Sequence, residues 1–332
     1  MKTKIISFIF YYCFISISVS SGKSEVRMPT HANWVISFDM KAFHNSRMGK
    51  FIMEKIKNAP NINQKMDGLK NAFGLDLIQM RDINAYGSGE KDEGTAIIRG
   101  GINSKQLEGF ASLNDKVEID EYQNTKTYSF KKGALGILSK DSVAVSSNKE
   151  LLQNSLKSQK EDNKQKHSLH SFVQSIERDQ KPILSFAANV LRVNRLQNKI
   201  KSNQTTSAKE LAENISKSLN SVIVGEIIFK KFKNMAIFLD ETDNNIRLQV
   251  YFQSANDEAA DHLENIFRSW PSLLALSNGI NTKLDELMKH VRFSVERDKK
   301  NVGMTALLTH SFFETKITNE LAKKIKQKNA SQ

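Results

Sequence analysis

Short segments rich in β-forming residues recur in pairs along the chain, and three to six residues separate the two members of each pair. Connections of this length join antiparallel neighbours, because a parallel pair needs a crossover of a dozen or more residues. Helical patterns lie between the pairs, so we predict an α+β fold with predominantly antiparallel sheets and packed helices. The predicted hairpins are Ile83–Ser88 with Thr95–Gly100, Val117–Tyr122 with Lys126–Phe130, Leu135–Leu138 with Val143–Ser146, Met235–Leu239 with Ile246–Phe252, and Arg292–Val295 with Val302–Leu308.

Apolar residues at three- and four-residue spacing predict helices between these hairpins. The first runs from Phe43 to Ile56, and Pro60 is expected to end it. Asn103 is expected to cap a helix that carries Leu107. The other predicted helices include Leu69–Leu77, one opened by the capping-box sequence Ser147-Asn148-Lys149-Glu150, one from Asn256 to Pro271, and a basic amphipathic helix from Phe313 to Lys326.

One strand alternates apolar and polar residues strictly. This pattern predicts a strand with one buried face and one face in water. The apolar positions are Ile246, Leu248, Val250 and Phe252, and the polar ones are Arg247, Gln249, Tyr251 and Gln253.

The order of elements divides the chain into two similar halves. Residues 157–168 contain a run of lysines, glutamines and acids, which we interpret as a polar linker between a half at 21–156 and a half at 169–328. The strand Val35–Phe38 has a counterpart in Ile183–Phe186. We predict an internal duplication, and the alternative is one mixed α+β domain in which the order recurs by chance.

The first 20 residues have the three regions of a secretory signal. Two lysines precede an uncharged run, Ile5–Val19, and the small residues Ser18 and Ser20 suit a peptidase site before Ser21. We therefore expect an exported protein, periplasmic or extracellular, with an uncleaved N-terminal membrane anchor as the alternative. Cys13 is the only cysteine, so the mature chain has no disulfide, thiolate nucleophile or thiolate metal site.

The opening strand and helix (Trp34–Ile56), the hairpin with the Asn103-Ser104 helix, and the pattern Ile246–Phe267 resemble exported bacterial proteins of unknown function. The resemblance is one of element order over most of the mature chain. It implies an exported α+β protein built as two halves. No catalytic motif is part of it, so it assigns no functional residue.

Motifs that would carry chemistry are missing or misplaced. Gly87-Ser88-Gly89 is followed by a strand where a dinucleotide site needs a helix. The sequence has no H-E-x-x-H, and its closest histidines, His167 and His170, lie at a polar helix start. We therefore predict no catalytic residues, no cofactor and no metal. The acids near hairpins are expected to serve solubility, although the fold could pair two of them: Glu118, Asp120, Glu121, Asp240, Glu241 and Asp243.

The formal net charge is +13, and removal of Lys2 and Lys4 with the signal peptide leaves +11. Such a chain is attracted to polyanions. The candidate binding residues are the basic–aromatic cluster and the lysines of the last helix: Lys230, Lys231, Lys233, Lys323 and Lys324. No nucleic-acid module surrounds them, so the expected partner is an envelope protein or an anionic polymer, and peripheral membrane contact is compatible with the charge.

These observations lead to one main hypothesis, which is an exported non-catalytic protein that binds a partner or an anionic polymer in the cell envelope. The first alternative is an envelope hydrolase whose carboxylates meet only in the fold. The second is a carrier of a hydrophobic ligand, which would need an enclosed apolar cavity. The sequence carries no signal for the oligomeric state.

Overall fold

The fold is seen in a computed structural model that describes residues 29, 32–58, 60–90, 93–160, 168–176, 178–190, 231–276 and 289–329. The predicted signal peptide, the cleavage site before Ser21, residues 161–167 of the predicted linker and Lys230 lie outside the described residues. No described helix is long and apolar enough to cross a membrane.

The described strands form one antiparallel sheet of twelve. Every pairing in the sheet is antiparallel, which confirms the predicted α+β class. The strands are β1 (Trp34–Asp39), β2 (Leu75–Gly87), β3 (Thr95–Ile102), β4 (Glu118–Tyr122), β5 (Thr125–Phe130), β6 (Gly133–Ser139), β7 (Ser142–Ser146), β8 (Leu184–Asn189), β9 (Phe232–Glu241), β10 (Asn245–Ser254), β11 (Val291–Asp298) and β12 (Asn301–Thr309).

The strand order is β11-β12-β10-β9-β8-β1-β2-β3-β7-β6-β5-β4. At the centre β1 pairs with β8, with Ser37 opposite Ser185, so the strands of both predicted halves join in a single sheet. The order outward from this pair is the same on both sides. On one side the hairpin of β2 and β3 is followed by β7, the second strand of the β6–β7 hairpin. On the other side the hairpin of β9 and β10 is followed by β12, the second strand of the β11–β12 hairpin. A common origin of the halves remains a prediction, and the shared sheet makes their stabilities interdependent.

The described part of the chain has eight helices that pack on the sheet: α1 (Met40–Asn45), α2 (Arg47–Lys57), α3 (Pro60–Phe73), α4 (Ser104–Ser112), α5 (Lys149–Lys160), α6 (Ser168–Ser175), α7 (Asp257–Leu276) and α8 (His310–Asn329). On one face of the sheet, residues such as Phe38, Ile98 and Phe252 pack against α1, α2, α3, α4, α7 and α8. On the opposite face, residues such as Tyr86 and Ala236 pack against α5 and α6.

Two helices, α3 and α7, end at residues other than those predicted. The predicted helix Leu69–Leu77 was wrong at its end, because Gly74 has φ +67° and stops α3 at Phe73, so that β2 begins at Leu75. Pro271 does not end α7, whose apolar side, including Leu263, is anchored on the sheet before the proline.

The start of α5 and the predicted linker also differ in detail. Asn148, not Ser147, caps the helix, because the Leu151 N–H donates to the Asn148 Oδ1 at 2.9 Å. The helix runs to Lys160, so its last turn occupies the first residues of the segment predicted as a linker.

The predicted wet face of β10 was wrong. Gln249 is 7% exposed and Tyr251 is 5% exposed, whereas Leu248 on the supposedly buried face is 40% exposed. The polar side chains are buried because α6 and the residues that follow it cover this face of the sheet. Arg247, for example, binds Asp179 from that covering segment. Polarity along one strand cannot show that a second layer lies above it.

Burial of Tyr86 predicts a loss of stability at alkaline pH. Its hydroxyl lies 2.5 Å from the Ser155 Oγ, and burial raises the pKa of Tyr86 to about 12. An unfolded tyrosine ionises near pH 10. The contribution of this raised pKa to the free energy of unfolding is therefore fully present below pH 10, and it is lost as the pH rises toward 12.

We expect the free energy of unfolding in urea to fall between pH 9 and 12, and Tyr86→Phe to reduce that fall while costing about 1 kcal/mol at neutral pH. An unchanged alkaline slope in Tyr86→Phe would show that other groups cause the loss.

Candidate functional site

A groove opens between α6 and one end of the sheet. Its volume is about 480 Å³, within the range of small-ligand pockets. One wall comes from α6, and the other wall comes from the ends of β8, β9 and β10. The lining residues are Ser168, Ser171, Phe172, Ser175, Asn189, Lys233, Asn234 and Gln253. Most of these side chains are uncharged groups that can form hydrogen bonds.

Four carboxamide side chains cross the sheet at this end, and we call them the amide row. Asn189 on β8 lies opposite Asn234 on β9, Asn234 lies opposite Gln253 on β10, and Gln253 lies opposite Asn301 on β12. Residues directly opposite each other in adjacent strands project to the same face. The row therefore presents its amides together on the face that α6 covers.

Two hydrogen-bond acceptors of the amide row have no donor in the part of the chain that the structure describes. The Asn234 Nδ2 donates to the Gln253 Oε1 at 2.8 Å, and the Asn301 Nδ2 donates to the Ser175 Oγ at 3.3 Å. The Oδ1 atoms of Asn234 and Asn301 are buried and accept no hydrogen bond from any described residue. A buried acceptor without a donor costs about 1–3 kcal/mol.

The opposite wall follows from the pattern of α6. Leu169, Phe172 and Ile176 are buried against the sheet. Three serines at spacings of three and four residues, Ser168, Ser171 and Ser175, lie beside them and face the groove. The apolar stripe thus seats the helix, and the serine stripe lines the groove.

An ion-pair cluster around the buried Asp240 lies on the same face, beside the segment that follows α6. The Arg247 Nε donates to the Asp240 Oδ1 at 2.6 Å, and its Nη2 donates to the Asp179 Oδ1 at 2.7 Å. The Gln180 Nε2 donates to the Asp240 Oδ1 at 3.2 Å. The hydrogen bond to Arg247 lowers the pKa of Asp179, and the two carboxylates raise the pKa of Arg247. These contacts hold the segment after α6 on the sheet.

Tyr251 extends this cluster across β12. Its hydroxyl donates a hydrogen bond to the carboxylate of Glu296 on β11. The pKa of Tyr251 is raised mainly by burial and further by this hydrogen bond. The ring passes over Gly303, where a Cβ atom would lie 2.4 Å from the Tyr251 Cε1. Only glycine leaves room for the ring at this position.

Arg178 lies in the segment after α6, which together with α6 covers this face of the sheet and is called the cover below. Its guanidinium carbon is 4.0 Å from the centroid of the Phe238 ring, a cation–π contact. Burial lowers the pKa of Arg178, and its Nε and Nη1 have no hydrogen-bond acceptor among the described residues. Both nitrogens are withdrawn from water, while the guanidinium stacks on Phe238 and the charge of Asp240 attracts it.

The structure separates the predicted binding lysines. Lys233 lines the groove. Lys231 is 3.9 Å from Glu258 and lies two residues before Lys233. Lys323 and Lys324 lie on α8, and nothing is described of their side chains. Since α8 follows the end of β12 that is remote from the groove, its first turn is not part of this site.

The predicted acids mostly have structural partners. Asp240 binds Arg247, and Asp120 binds Lys149 at 3.0 Å, which lowers the pKa of Asp120. The Glu241 carboxylate accepts hydrogen bonds from the N–H groups of Arg47 and Met48, both at 2.6 Å. It thereby satisfies two free donors at the start of α2.

Within the described ranges no three His, Cys, Asp or Glu residues are grouped as a metal would require. His170 lies on α6, whereas His167 is outside the described residues.

Sequence analysis named Lys233, which lines the groove, but it did not single out the amide row. The serine spacing on α6 was the one local signal of the groove. The amides come from four separate strands, and only the pairing of β8, β9, β10 and β12 aligns them.

No protein-family model matches the chain, and no curated protein matches it. Among solved structures, crystal forms III, IV and I of TP0453 are similar, each with 10% sequence identity. Their TM-scores are 0.44, 0.45 and 0.42, they cover 90%, 89% and 90% of this chain, and 100%, 98% and 99% of the TP0453 chains are covered. Similarity at this level carries no information on function.

Proposed function

We propose that this chain is an exported, non-catalytic protein that binds an anionic polymer of the cell envelope in the groove. The observation that carries the proposal is the lining: amide and serine side chains line a groove of about 480 Å³ together with Lys233. Neutral hydrogen-bonding groups orient a polar ligand, and a lysine adds attraction for negative charge. The net charge, +13 for the full sequence and +11 without Lys2 and Lys4, attracts polyanions to the surface as a whole.

The carboxyl groups support binding rather than hydrolysis. A hydrolase that uses two acids needs one of them with a raised pKa. The described carboxyl groups with a shifted pKa, Asp76, Asp120, Asp179 and Glu264, are all shifted downward. The buried Asp240 is bound by Arg247. The polar lining also favours a hydrophilic ligand over the hydrophobic ligand of a carrier.

The test is the affinity of the full-length protein for three polyanions, measured by titration calorimetry over a salt series. The probes are polygalacturonate, polyglutamate and inorganic polyphosphate. We expect saturable binding of at least one of them, and Lys233→Gln should weaken that binding about tenfold by removing one charge-assisted hydrogen bond.

Lys132→Gln is the matched control, because it removes the same charge from an exposed turn between β5 and β6. It should change the affinity less than about twofold. Equal effects of the two substitutions, with binding that disappears steadily as salt rises, would contradict the proposal. Such a result would mean that net charge alone attracts the polymer.

A further inference from the structure

We propose that β11 is a docking surface for a second copy of this chain, and that two β11 strands pair antiparallel to join two sheets in a symmetric dimer. The pairing follows from the position of β11 in the sheet and from the order of charged and apolar residues along it. β11 contributes no residue to the lining of the groove, so this dimer goes beyond the proposed function.

β11 is one of the two outer strands of the sheet. It pairs with β12 on one side, and no described strand pairs with its other side. An outer strand presents unpaired backbone N–H and C=O groups that another strand can bind. The register with β12 is continuous from Val291 to Asp298, and the strand contains no proline or lysine. β11 therefore lacks the bulge, proline or lysine by which many outer strands prevent such pairing.

The other outer strand, β4, is protected against pairing. It has five residues, and three of them are the acids Glu118, Asp120 and Glu121. Antiparallel pairing of two β4 strands would bring these acids together, and like charges directly opposite each other destabilise a strand pair. β11 is eight residues long and carries both signs of charge, so it is the outer strand that favours pairing.

The turn between β11 and β12 determines which backbone groups of β11 face outward. Only Lys299 and Lys300 lie between Asp298 and its partner Asn301, so Asp298 and Asn301 form a hydrogen-bonded pair. Residues that bond to the partner strand alternate with residues that do not. The N–H and C=O groups that point away from β12 therefore belong to Val291, Phe293, Val295 and Arg297.

Antiparallel pairing of two copies about Ser294 matches this pattern. It places Phe293 of one copy opposite Val295 of the other, so their outward backbone groups can bond to each other. The same register places Arg292 opposite Glu296. By symmetry each of these pairs occurs twice. Opposite charges and aromatic–β-branched pairs on adjacent strands are both stabilising.

The side chains that would form the ion pairs are accessible. Arg292, Ser294 and Glu296 are exposed, and Arg292 has no ion-pair partner among the residues that the structure describes. The Tyr251 hydroxyl donates to Glu296 and holds its carboxylate on this face. The other face of β11 is already packed, because α7 lies over it and binds Arg297 through Asp261. The ion pairs would therefore form on the open face.

The first test is sedimentation velocity of the full-length protein over a concentration series. Pairing of two outer strands buries a small interface, so we expect a monomer–dimer equilibrium between about 1 and 200 μM. Ser294→Lys places two ammonium groups opposite each other at the symmetry axis and should weaken the dimer about tenfold. Arg292→Glu places a carboxylate opposite Glu296, and it should also weaken the dimer if Ser294→Lys does not fold.

Ser139→Lys is the matched control, because it adds the same charge at an exposed serine of β6, which is not an outer strand. It should leave the dissociation constant of the dimer within about twofold.

A disulfide tests the register. The Cα atoms of residues opposite each other in a non-hydrogen-bonded pair are about 4.5 Å apart, which a disulfide can bridge. Cys13 is the only cysteine, so Cys13→Ser provides a background without thiols. In this background Ser294→Cys should form a covalent dimer on mild oxidation, seen on a non-reducing gel, whereas Ser139→Cys should not.

A monomer at every concentration would overturn the proposed dimer. A dimer that resists both Ser294→Lys and Arg292→Glu, or one in which Ser294→Cys forms no disulfide, would overturn pairing through β11. Assembly that continues beyond two copies would also contradict it, because a symmetric pair is closed. None of these outcomes changes polyanion binding in the groove, so the proposed function is tested separately.

Discussion

Replacing Asp240 with alanine is expected to destabilise the protein by about 3–5 kcal/mol, because it leaves the charge of Arg247 without its buried partner. The Asp240 side chain is 1% exposed, and that of Arg247 is 12% exposed. Arg247 donates to the two Asp240 oxygens at 2.6 and 3.2 Å, and Gln180 adds a further hydrogen bond. The measurement is the free energy of unfolding from urea denaturation monitored by circular dichroism.

The second carboxylate on the same arginine provides the control. Asp179 also pairs with Arg247, at 2.7 Å, but its side chain is 69% exposed. Asp179→Ala is expected to cost less than about 1 kcal/mol, because an exposed ion pair is screened by water. Equal losses in the two variants would show that Arg247 does not depend on its buried contact. They would contradict the view that this cluster anchors the cover of the sheet.

Replacing Gly303 with alanine is expected to destabilise the protein by about 3 kcal/mol, because the new Cβ atom overlaps a buried ring. The Cβ would lie 2.4 Å from the Tyr251 Cε1 and 2.6 Å from the Cδ1. Tyr251 is 5% exposed, and its hydroxyl is held by Glu296. The ring cannot move aside without losing that bond. Thermal and urea unfolding of the variant measure the cost.

Gly109→Ala is the matched control for Gly303→Ala. Gly109 lies inside α4, and a Cβ atom there would meet no heavy atom within 4 Å. Alanine at such a helical position should stabilise the protein by about 1 kcal/mol. The double variant Gly303→Ala with Tyr251→Val should recover about 0.5–3 kcal/mol of coupling energy. A cycle with no coupling would show that the overlap with Tyr251 is not the cause of the loss.

Both substitutions act on the face that the sequence pattern placed in water. Both change residues on the sheet face against which α6 packs, and α6 forms one wall of the groove. We therefore expect Asp240→Ala to weaken polyanion binding as well as stability, in protein that remains folded. Gly109→Ala should leave that binding unchanged, since α4 packs on the other face of the sheet.

Several features followed from the sequence alone because their causes act within a few residues. The turn of β4 and β5 is one case: Gln123 and Asn124 both have positive φ, 50° and 58°, as a tight hairpin turn requires. The cap of α4 is another, since the Asn103 side chain accepts from the Gln106 N–H. Short connections of this kind also determined the antiparallel pairing, and with it the α+β class.

The tertiary structure decided everything that depends on residues far apart in the chain. The pairing of β1 with β8 joins residues about 150 positions apart, and no local pattern specifies such a register. The cover over Arg247 and Tyr251 needs α6 to lie on the sheet. The amide row needs four strands in register. Composition determined the net charge, and local sequence patterns determined the class of fold. The shared core determined which polar side chains come into contact, because burial of apolar surface across the whole sheet sets the positions of the strands that carry them.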